Sequence, residues 1–592
     1  MHNLERPANL DKSPQPGWTS DVAAAMLHAT GIKYVALNPG ASYRGFHDSL
    51  VNFLGNAAPQ MLLCLHEDHA VSIAHGYAKA TDEPMACVLH SNVGLLHGLM
   101  GIFNAWCDRM PMLVLGATGP IEIEKRRPWI DWIHTTKDQG ALLRNFTKFD
   151  DEPRSADGVA EAFLRCAQFT RSAPRAPVYI CLDAGLQEQK IDKPVTLPDP
   201  ARYAATEDPC APQEVVDRVA ELLSGASRPL IMIGRASLRQ DDWERRVRLA
   251  ELLGASVLTS SRERSAFPTD HPLHAAPPLH RLSQRTKDLI LGADVILSLD
   301  WVDLNGTLQQ ANRSTAQIAP RIVHVSLDSL LHNGWSMDHF GLAPVDVPVL
   351  AGPDAFARQI LPVLERRLKG RPKWDGASRN QASAPVYSDH AATRIEPSDI
   401  EVALAKLRGA RKFTIAHVNI GWAGNVYHFH EPLDFLGHDG GAGLAAGPGL
   451  TVGATLAMKD SGRTVVSVLG DGDFLQGVTA LWTAAHYGLA ALFIVSNNHS
   501  NFNDEIHQES VAKARGRPVE NRWIGLRIDD PALDIAGLAR AQGVDAEGPI
   551  ETVAELEAAI ERGLAAVLAG KPYLIDAHVA PGYAHEPLSR AG

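Results

Sequence analysis

Two oxygen-donor side chains at the ends of two apolar runs give this sequence its clearest chemistry. The stretch TVVSVLGDGDFLQGVTALWTAAHYGLAALFIVSNN sets Asp471 between Gly470 and Gly472, followed by 24 residues and then the pair Asn497-Asn498. A carboxylate oxygen from Asp471 and an amide oxygen from Asn498 are hard donors, suited to Mg²⁺ whose remaining positions go to phosphate and water. The glycines allow a tight turn with close backbone approach, and the start of the following helix favours an anionic group. We expect one strand to end at Leu469, a helix to run from about Leu475 to Tyr487, and a second strand to end at Asn497-Asn498. Two adjacent strand ends would then present both donors to one ion, although 27 positions separate them. GDG alone reads as a turn; GDG and NN joined by strand, helix and strand are more specific and predict a site for a metal with an anionic phosphate.

Other metal patterns fail on spacing. The string HEDHA has His66 and Glu67 but places Ala70 where the second histidine of HExxH belongs, so a zinc protease is rejected. His428, His430, Glu431 and His438 fit no ligand template and read as loop histidines near an active site. The six cysteines, Cys64, Cys87, Cys107, Cys166, Cys181 and Cys210, form no CxxC pair. They read as buried free thiols of a reducing compartment.

The elements that must position these residues recur along the chain. YVALNPG and MACVLHS flank the helical HAVSIAHGYAKA; PLIMIG, ASVLTS, DVILSLD and RIVHVSL follow; then come KFTIAHV, TVVSVLGDG and ALFIVSNN. Apolar runs without in–out alternation, separated by helices, predict parallel sheets covered on both faces. Two polar, proline-bearing stretches, from Ile191 and from Lys369, read as linkers. The fold class is therefore α/β, with three successive domains of mostly parallel sheet flanked by helices, over 17–190, 212–366 and 395–582. Ligands of such sheets sit at the carboxyl ends of strands. Asn38-Pro39-Gly40, His90-Ser91, Gly470-Asp471-Gly472 and Asn497-Asn498 all fall there.

A hydrophobic fraction of 45% with 21% charged residues indicates a globular chain, and the net charge of −12 argues against a nucleic-acid surface. The polar N-terminal stretch MHNLERPANLDKSPQPG has no apolar core for secretion, and no run of about 18 apolar residues follows. A cytoplasmic protein without a membrane span is expected.

The GDG-to-NN stretch resembles the signature of thiamine diphosphate enzymes. Across its length the chain resembles the decarboxylase and acetohydroxyacid synthase superfamily, nearest to benzoylformate decarboxylase-like proteins. The resemblance implies pyrimidine-binding, central and diphosphate-binding domains, with thiamine diphosphate and Mg²⁺ as cofactors. It implies Asp471, Asn498 and the main-chain carbonyl of Ser500 as metal ligands, with Gly40, Gly470, Gly472 and Asp473 at the cofactor. In LLCLHEDHAVSIAHGYAKAT, Glu67 matches the acid that activates the aminopyrimidine through N1′. Such work needs a carboxyl group of tuned protonation, whereas a plain helix-start acid would need only the helix dipole. Leu89-His90-Ser91 looks like the family's LHS, whose histidine relays protons. Leu444 matches the apolar wedge that bends the cofactor, with core packing as its alternative. Ala41 stands where those decarboxylases have a serine for the substrate carboxylate; Ser42 follows, and both, with Ser91, are expected on the substrate side.

The long polar segment after Asn498 is unlike that of the decarboxylases. Its Arg515, Arg517 and Arg522 would bind an anionic substrate, close a lid, or form a solvated basic helix end. Decarboxylation of a 2-oxo acid is the first reading. Acetohydroxyacid synthase-type carboligation, cleavage or hydrolysis of a dione or hydroxyacyl substrate, and a non-catalytic cofactor-binding protein are the alternatives. The lone Gly-Arg turn of IMIGRAS in the central domain predicts no flavin. The resemblance implies a homodimer or homotetramer, with the cofactor between subunits.

Overall fold

A computed structural model describes residues 5–8, 15–278, 282–331, 341–380, 384–422 and 424–582. Residues 1–4 and 9–14 of the polar N-terminal stretch lie outside them. The apolar runs form three successive sheets in which every neighbouring pair of strands is parallel. The first contains β1 (Tyr34–Leu37), β2 (Gln60–Leu63), β3 (Met85–Val88), β4 (Met112–Thr118), β5 (Phe149–Asp151) and β6 (Pro177–Asp183), in the order β2-β1-β3-β4-β6-β5. The second contains β7 (Pro229–Ile233), β8 (Ser256–Thr259), β9 (Val295–Leu299), β10 (Arg321–Val325) and β11 (Val347–Val349), in the order β11-β10-β9-β7-β8. The third contains β12 (Phe413–His417), β13 (Thr464–Gly470), β14 (Ala491–Asn497), β15 (Asp545–Ile550) and β16 (Tyr573–His578), in the order β12-β13-β14-β16-β15. Their central strands are buried along both faces, which is why these runs are uniformly apolar.

One hydrophobic core joins the first and third sheets, while the second sheet has its own. The joint lies where α1 (Glu67–Thr81), itself packed beside α2 (Ser91–Cys107), crosses α3 (Ala446–Met458). The backbones approach so closely that a Cβ at Gly76 would stand 2.1 Å from the Leu450 carbonyl oxygen, and one at Gly453 2.0 Å from that of Ile73. Backbone atoms cannot rotate away, so a methyl group there must push the helices apart. We expect Gly76→Ala and Gly453→Ala each to destabilise by about 1–3 kcal/mol, the range for overpacked cores. Thermal unfolding reads this directly; an unchanged midpoint would mean that the helices cross further apart.

The helix after GDG differs from expectation. It begins on the aspartate itself, as α4 (Asp471–Gly477), and resumes after Val478-Thr479 as α5 (Ala480–Tyr487). The cause is tertiary. At Gly477 the Ala445 carbonyl oxygen and the Pro448 ring already fill the space of a side chain, and the Thr479 hydroxyl is bonded to His69 of α1 at 2.8 Å. Among the cysteines, Cys64, Cys87, Cys166 and Cys181 are buried and Cys107 partly so, but Cys210 is exposed, which corrects the expectation of six buried thiols. No helix among the described residues is long and apolar enough to cross a membrane.

Candidate active site

The register of β13 and β14 sets Gly470 opposite Ser496 and brings the two predicted donors together. Asp471 Oδ1 accepts the Gly472 N–H at 2.8 Å, and Oδ2 accepts the Ser500 N–H at 3.1 Å. Asn498 Oδ1 accepts that same Ser500 N–H at 3.1 Å. Ser500 is a non-hydrogen-bonded partner in an antiparallel bridge with Arg527: the bonds run from Asn501 N–H to Leu526 and from Ile528 N–H to His499. Its own N–H and carbonyl therefore point away from the bridge, the N–H toward Asp471. Burial pushes the Asp471 carboxyl up to about 6 against the pull of the backbone N–H groups around it. A carboxylate held out of water with only partial charges beside it is half of an ion pair, and a hard cation is the fitting complement. A side chain at Gly470 would meet nothing within 4 Å, so the strand end is open to a ligand. Asp473 is buried; its Oδ1 accepts the Ala445 and Gly447 N–H groups at 2.8 and 3.3 Å and pins the loop before α3 to this strand end. Leu444, just before that loop's anchor, is 49% exposed, so core packing is not its role within the chain.

Glu67 lies at the start of α1, behind the N-cap His66, whose Nδ1 accepts the Asp68 N–H at 3.1 Å. It is a helix-start acid yet buried, with Oε2 3.0 Å from Nδ1 of His97 on α2. Sequence reasoning missed His97, since nothing in LLHGLMG marks a residue that meets an acid 30 positions away. Beside it, His69 ties α1 to Thr479, and burial followed by the charge of His66 lowers its imidazolium to about 4 from the usual 6.5. The unfolded chain thus takes up this proton below pH 6.5 and the folded chain only near 4. Stability present above 6.5 is lost as pH falls through that window, by up to about 1.4 kcal/mol per pH unit. His69→Gln keeps a donor for Thr479 and should flatten the acid slope of the thermal midpoint; an unchanged slope would remove His69 from this linkage.

Leu37 pairs with Val88, so Asn38-Pro39-Gly40 runs level with His90. A Cβ at Gly40 would stand 2.4 Å from the Cβ of His90, which is why the loop passes there only as glycine. Ser42 Oγ accepts the Ser91 N–H at 3.1 Å and lies 2.8 Å from His90 Nδ1; that nitrogen also accepts the Ser42 N–H at 3.4 Å, so the hydroxyl donates to it. With Nδ1 accepting, the ring proton resides on Nε2. Burial first, then His134, holds His90 below its usual value and therefore neutral. His134, unmarked in the sequence, packs edge-on against His90 with ring centroids 4.6 Å apart. Ala41 is exposed in the preceding turn. Ser91 is buried in the left-handed region at φ +41°, and its hydroxyl has no partner among the described residues.

The segment after Asn498 folds as α6 (Phe502–Ala514). Arg522 is not a free anion binder: its guanidinium pairs with Glu509 and, at 3.4 Å, with Glu505. Glu505 also accepts the Ser500 hydroxyl at 2.6 Å, so this pairing braces the loop after Asn498. Arg515 and Arg517 remain exposed. The histidine group of the third sheet disperses as well. His430 pairs with Asp270 at 3.3 Å and Glu431 with Lys412 at 2.7 Å, while His438 joins Asp439 and His417. A cavity of about 710 Å³ opens where the three units meet, and the cations Arg109 and Arg235 in its wall are already held by Asp328 at 3.0 and 2.9 Å.

Three tandem parallel α/β units, with paired oxygen donors at two strand ends of the last, define a class of enzyme that binds a phosphorylated cofactor. The sequence matches, in chain order, the thiamine pyrophosphate enzyme N-terminal TPP binding domain over residues 18–142, the central domain over 216–360 and the C-terminal TPP binding domain over 418–577. The chain belongs to the thiamine pyrophosphate enzymes and is a thiamine diphosphate-dependent enzyme of their decarboxylase and acetolactate synthase branch. It is 26% identical to benzoylformate decarboxylase of Pseudomonas aeruginosa, over 93% of this chain and 97% of that protein. It is 23% identical to the probable acetolactate synthase large subunit of Methanocaldococcus jannaschii, over 94% of this chain and 91% of that protein. The crystal structure of benzoylformate decarboxylase from Polynucleobacter necessarius has the same fold, with a TM-score of 0.79 at 20% identity, covering 97% of this chain and all of the other.

Proposed function

We propose that this chain carries out non-oxidative C–C bond cleavage with thiamine diphosphate and Mg²⁺, in the first place decarboxylation of a 2-oxo acid. The observation that carries this reading is the Ser42–His90 pair, which keeps an imidazole neutral with its Nε2–H free to donate. Decarboxylation ends in proton delivery to carbon, and a fixed donor of this kind suits that step. Thiamine diphosphate, when bound, supplies the nucleophilic carbon and the electron sink.

The chain's own residues divide the remaining work. Asp471, Asn498 and the Ser500 carbonyl would hold Mg²⁺, while the open backbone at Gly470 would admit the diphosphate. Asp473 fixes the loop that carries Leu444, whose exposed side chain props the cofactor. Glu67 would hold or release a proton at its carboxylate where the cofactor's aminopyrimidine would lie, and Gly40 lets the substrate loop pass against His90. Ala41 removes the hydroxyl that the decarboxylases place there, and the Ser42 hydroxyl is engaged by His90. Ser91, buried behind them, holds the Ser42 hydroxyl in place through its N–H. The apolar side chains Val93, Leu96 and Met100 on α2 and nearby Leu444 are exposed in the single chain. This apolar stripe on one helix face supports a homodimer, or a tetramer built from it, and the cytoplasm is the location we propose.

Incubation of the loaded enzyme with pyruvate and with benzoylformate tests the reaction. CO₂ with an equal amount of aldehyde supports decarboxylation. CO₂ with acyloin would move the assignment to the carboligase that the acetolactate synthase relatives suggest. Release of no CO₂ from 2-oxo acids would overturn both and turn attention to dione cleavage.

A further inference from the structure

His499, the residue between the donors Asn498 and Ser500, is held in the left-handed region at φ +57°. A residue with a Cβ keeps that conformation only where its surroundings impose it. Here the Asn497 Oδ1 accepts the His499 N–H at 3.1 Å, and the rings of His499 and His578 meet edge to face with centroids 4.5 Å apart. Both contacts lead back to one carboxylate. Asp576, 3% exposed on β16, accepts the Asn497 Nδ2 at 3.0 Å through Oδ1, while its Oδ2 lies 3.5 Å from Nε2 of His578. The register of β14 and β16 sets Val495 opposite Asp576 and Asn497 opposite His578. Gly548 of β15 passes so close that a Cβ there would stand 2.5 Å from that of Asp576, which fixes the stem of the carboxylate.

An ionised carboxylate only accepts hydrogen bonds, so it selects the NH₂ end of the Asn497 amide and leaves the oxygen end for His499. Without that partner the buried NH₂ would be unpaired, and the amide would keep only the His499 bond to orient it. The Asn498 amide and the Ser500 carbonyl leave the chain on either side of His499, so their directions follow from this turn. We propose that Asp576 is the positioning residue of the metal loop, aiming Asn498 and Ser500 at the ion through Asn497 and His578. It lies 79 positions beyond Asn497, outside the GDG-to-NN stretch, and acts through other residues. The proposal rests on reading Asp471, Asn498 and Ser500 as the ligands of Mg²⁺.

The test titrates Mg²⁺ into the full chain with thiamine diphosphate present and follows binding by calorimetry. Asp576→Ala should weaken the Mg²⁺ affinity by at least about tenfold, the scale for partners that orient metal ligands. Asp576→Asn keeps an acceptor for the Asn497 amide without the charge, and should stay within about threefold of the parent. Parent-like affinity in Asp576→Ala would overturn the proposal. So would an Asp576→Asn variant as weak as Asp576→Ala, since the effect would then belong to the charge and not to the hydrogen bond. Asn497→Ala cuts the same link from its other end and takes the measurement if Asp576→Ala folds poorly. There too a loss of at least about tenfold is expected, and a parent-like value would overturn the proposal. Asp471→Ala separates the two claims: undiminished Mg²⁺ affinity in that variant would refute the metal site itself, whatever Asp576 does.

Discussion

Asp471→Ala should weaken Mg²⁺-dependent binding of thiamine diphosphate by at least about a hundredfold, equivalent to about 2.7 kcal/mol. Of the three proposed metal ligands it is the one that bears charge; Asn498 offers a neutral amide oxygen and Ser500 a neutral carbonyl. A divalent ion left with neutral donors and phosphate loses its strongest protein contact. The loop itself should survive, because the Ser500 N–H retains Asn498 Oδ1 at 3.1 Å and the Ser500 hydroxyl retains Glu505.

The same substitution has an effect of opposite sign on the metal-free chain. Burial raises the Asp471 carboxyl from 3.8 to about 6, so the folded state disfavours its ionised form. For an acid with a raised value, stability is greatest at low pH and declines as pH rises from 3.8 to about 6. At neutral pH, with Mg²⁺ chelated, Asp471→Ala should therefore melt at or above the parent temperature while failing to bind cofactor. Calorimetry and melting in the presence and absence of Mg²⁺ read the two effects separately. Parent-like cofactor affinity in the variant would remove Asp471 from the metal site.

The parts of this site legible in the sequence are those carried by contiguous runs. The lack of alternation in TVVSVLG and ALFIVSN marked buried parallel strands, and strand ends are where the fold gathers ligands, so Asp471 and Asn498 could be paired across 27 positions. What escaped is set by contacts between units. The break at Val478-Thr479 depends on His69 and on the backbone of Ala445, which no periodicity in VTALWTAAHY reveals. His97 and His134 reach the site from α2 and from the loop after β4, and isolated histidines carry no spacing signal. Arg522 looked available because its partners, Glu505 and Glu509, lie 17 and 13 positions earlier on a helix whose return path the sequence does not show. Ser42 was read as facing the substrate, and its engagement with His90 depends on the β1–β3 register, which sets that loop beside the imidazole.

Glu67→Gln should reduce turnover by about 10²–10⁴-fold, the usual contribution of a positioned acid–base group, while thiamine diphosphate still binds. The substitution is close to isosteric. The amide can still bond to His97 and still lies over Gly94, so packing at the start of α1 is preserved and only the ability to gain and lose a proton is removed. A drop of 10² corresponds to about 2.7 kcal/mol of barrier, several times what a small shift of one side chain would produce in a buried site. Glu67→Asp sharpens the test: it keeps the ionisable group but draws it back by one methylene, away from the 3.0 Å contact with His97. Its rate should fall between those of the parent and Glu67→Gln, because proton exchange remains possible over a longer and less favourable path. If both variants lost activity together with cofactor affinity, Glu67 would be a binding residue. If Glu67→Gln turned over at the parent rate, the buried carboxylate at this helix start would have no part in activating the cofactor. Retained binding with the order Glu, then Asp, then Gln in rate is the outcome that separates an acid at work from an acid merely buried.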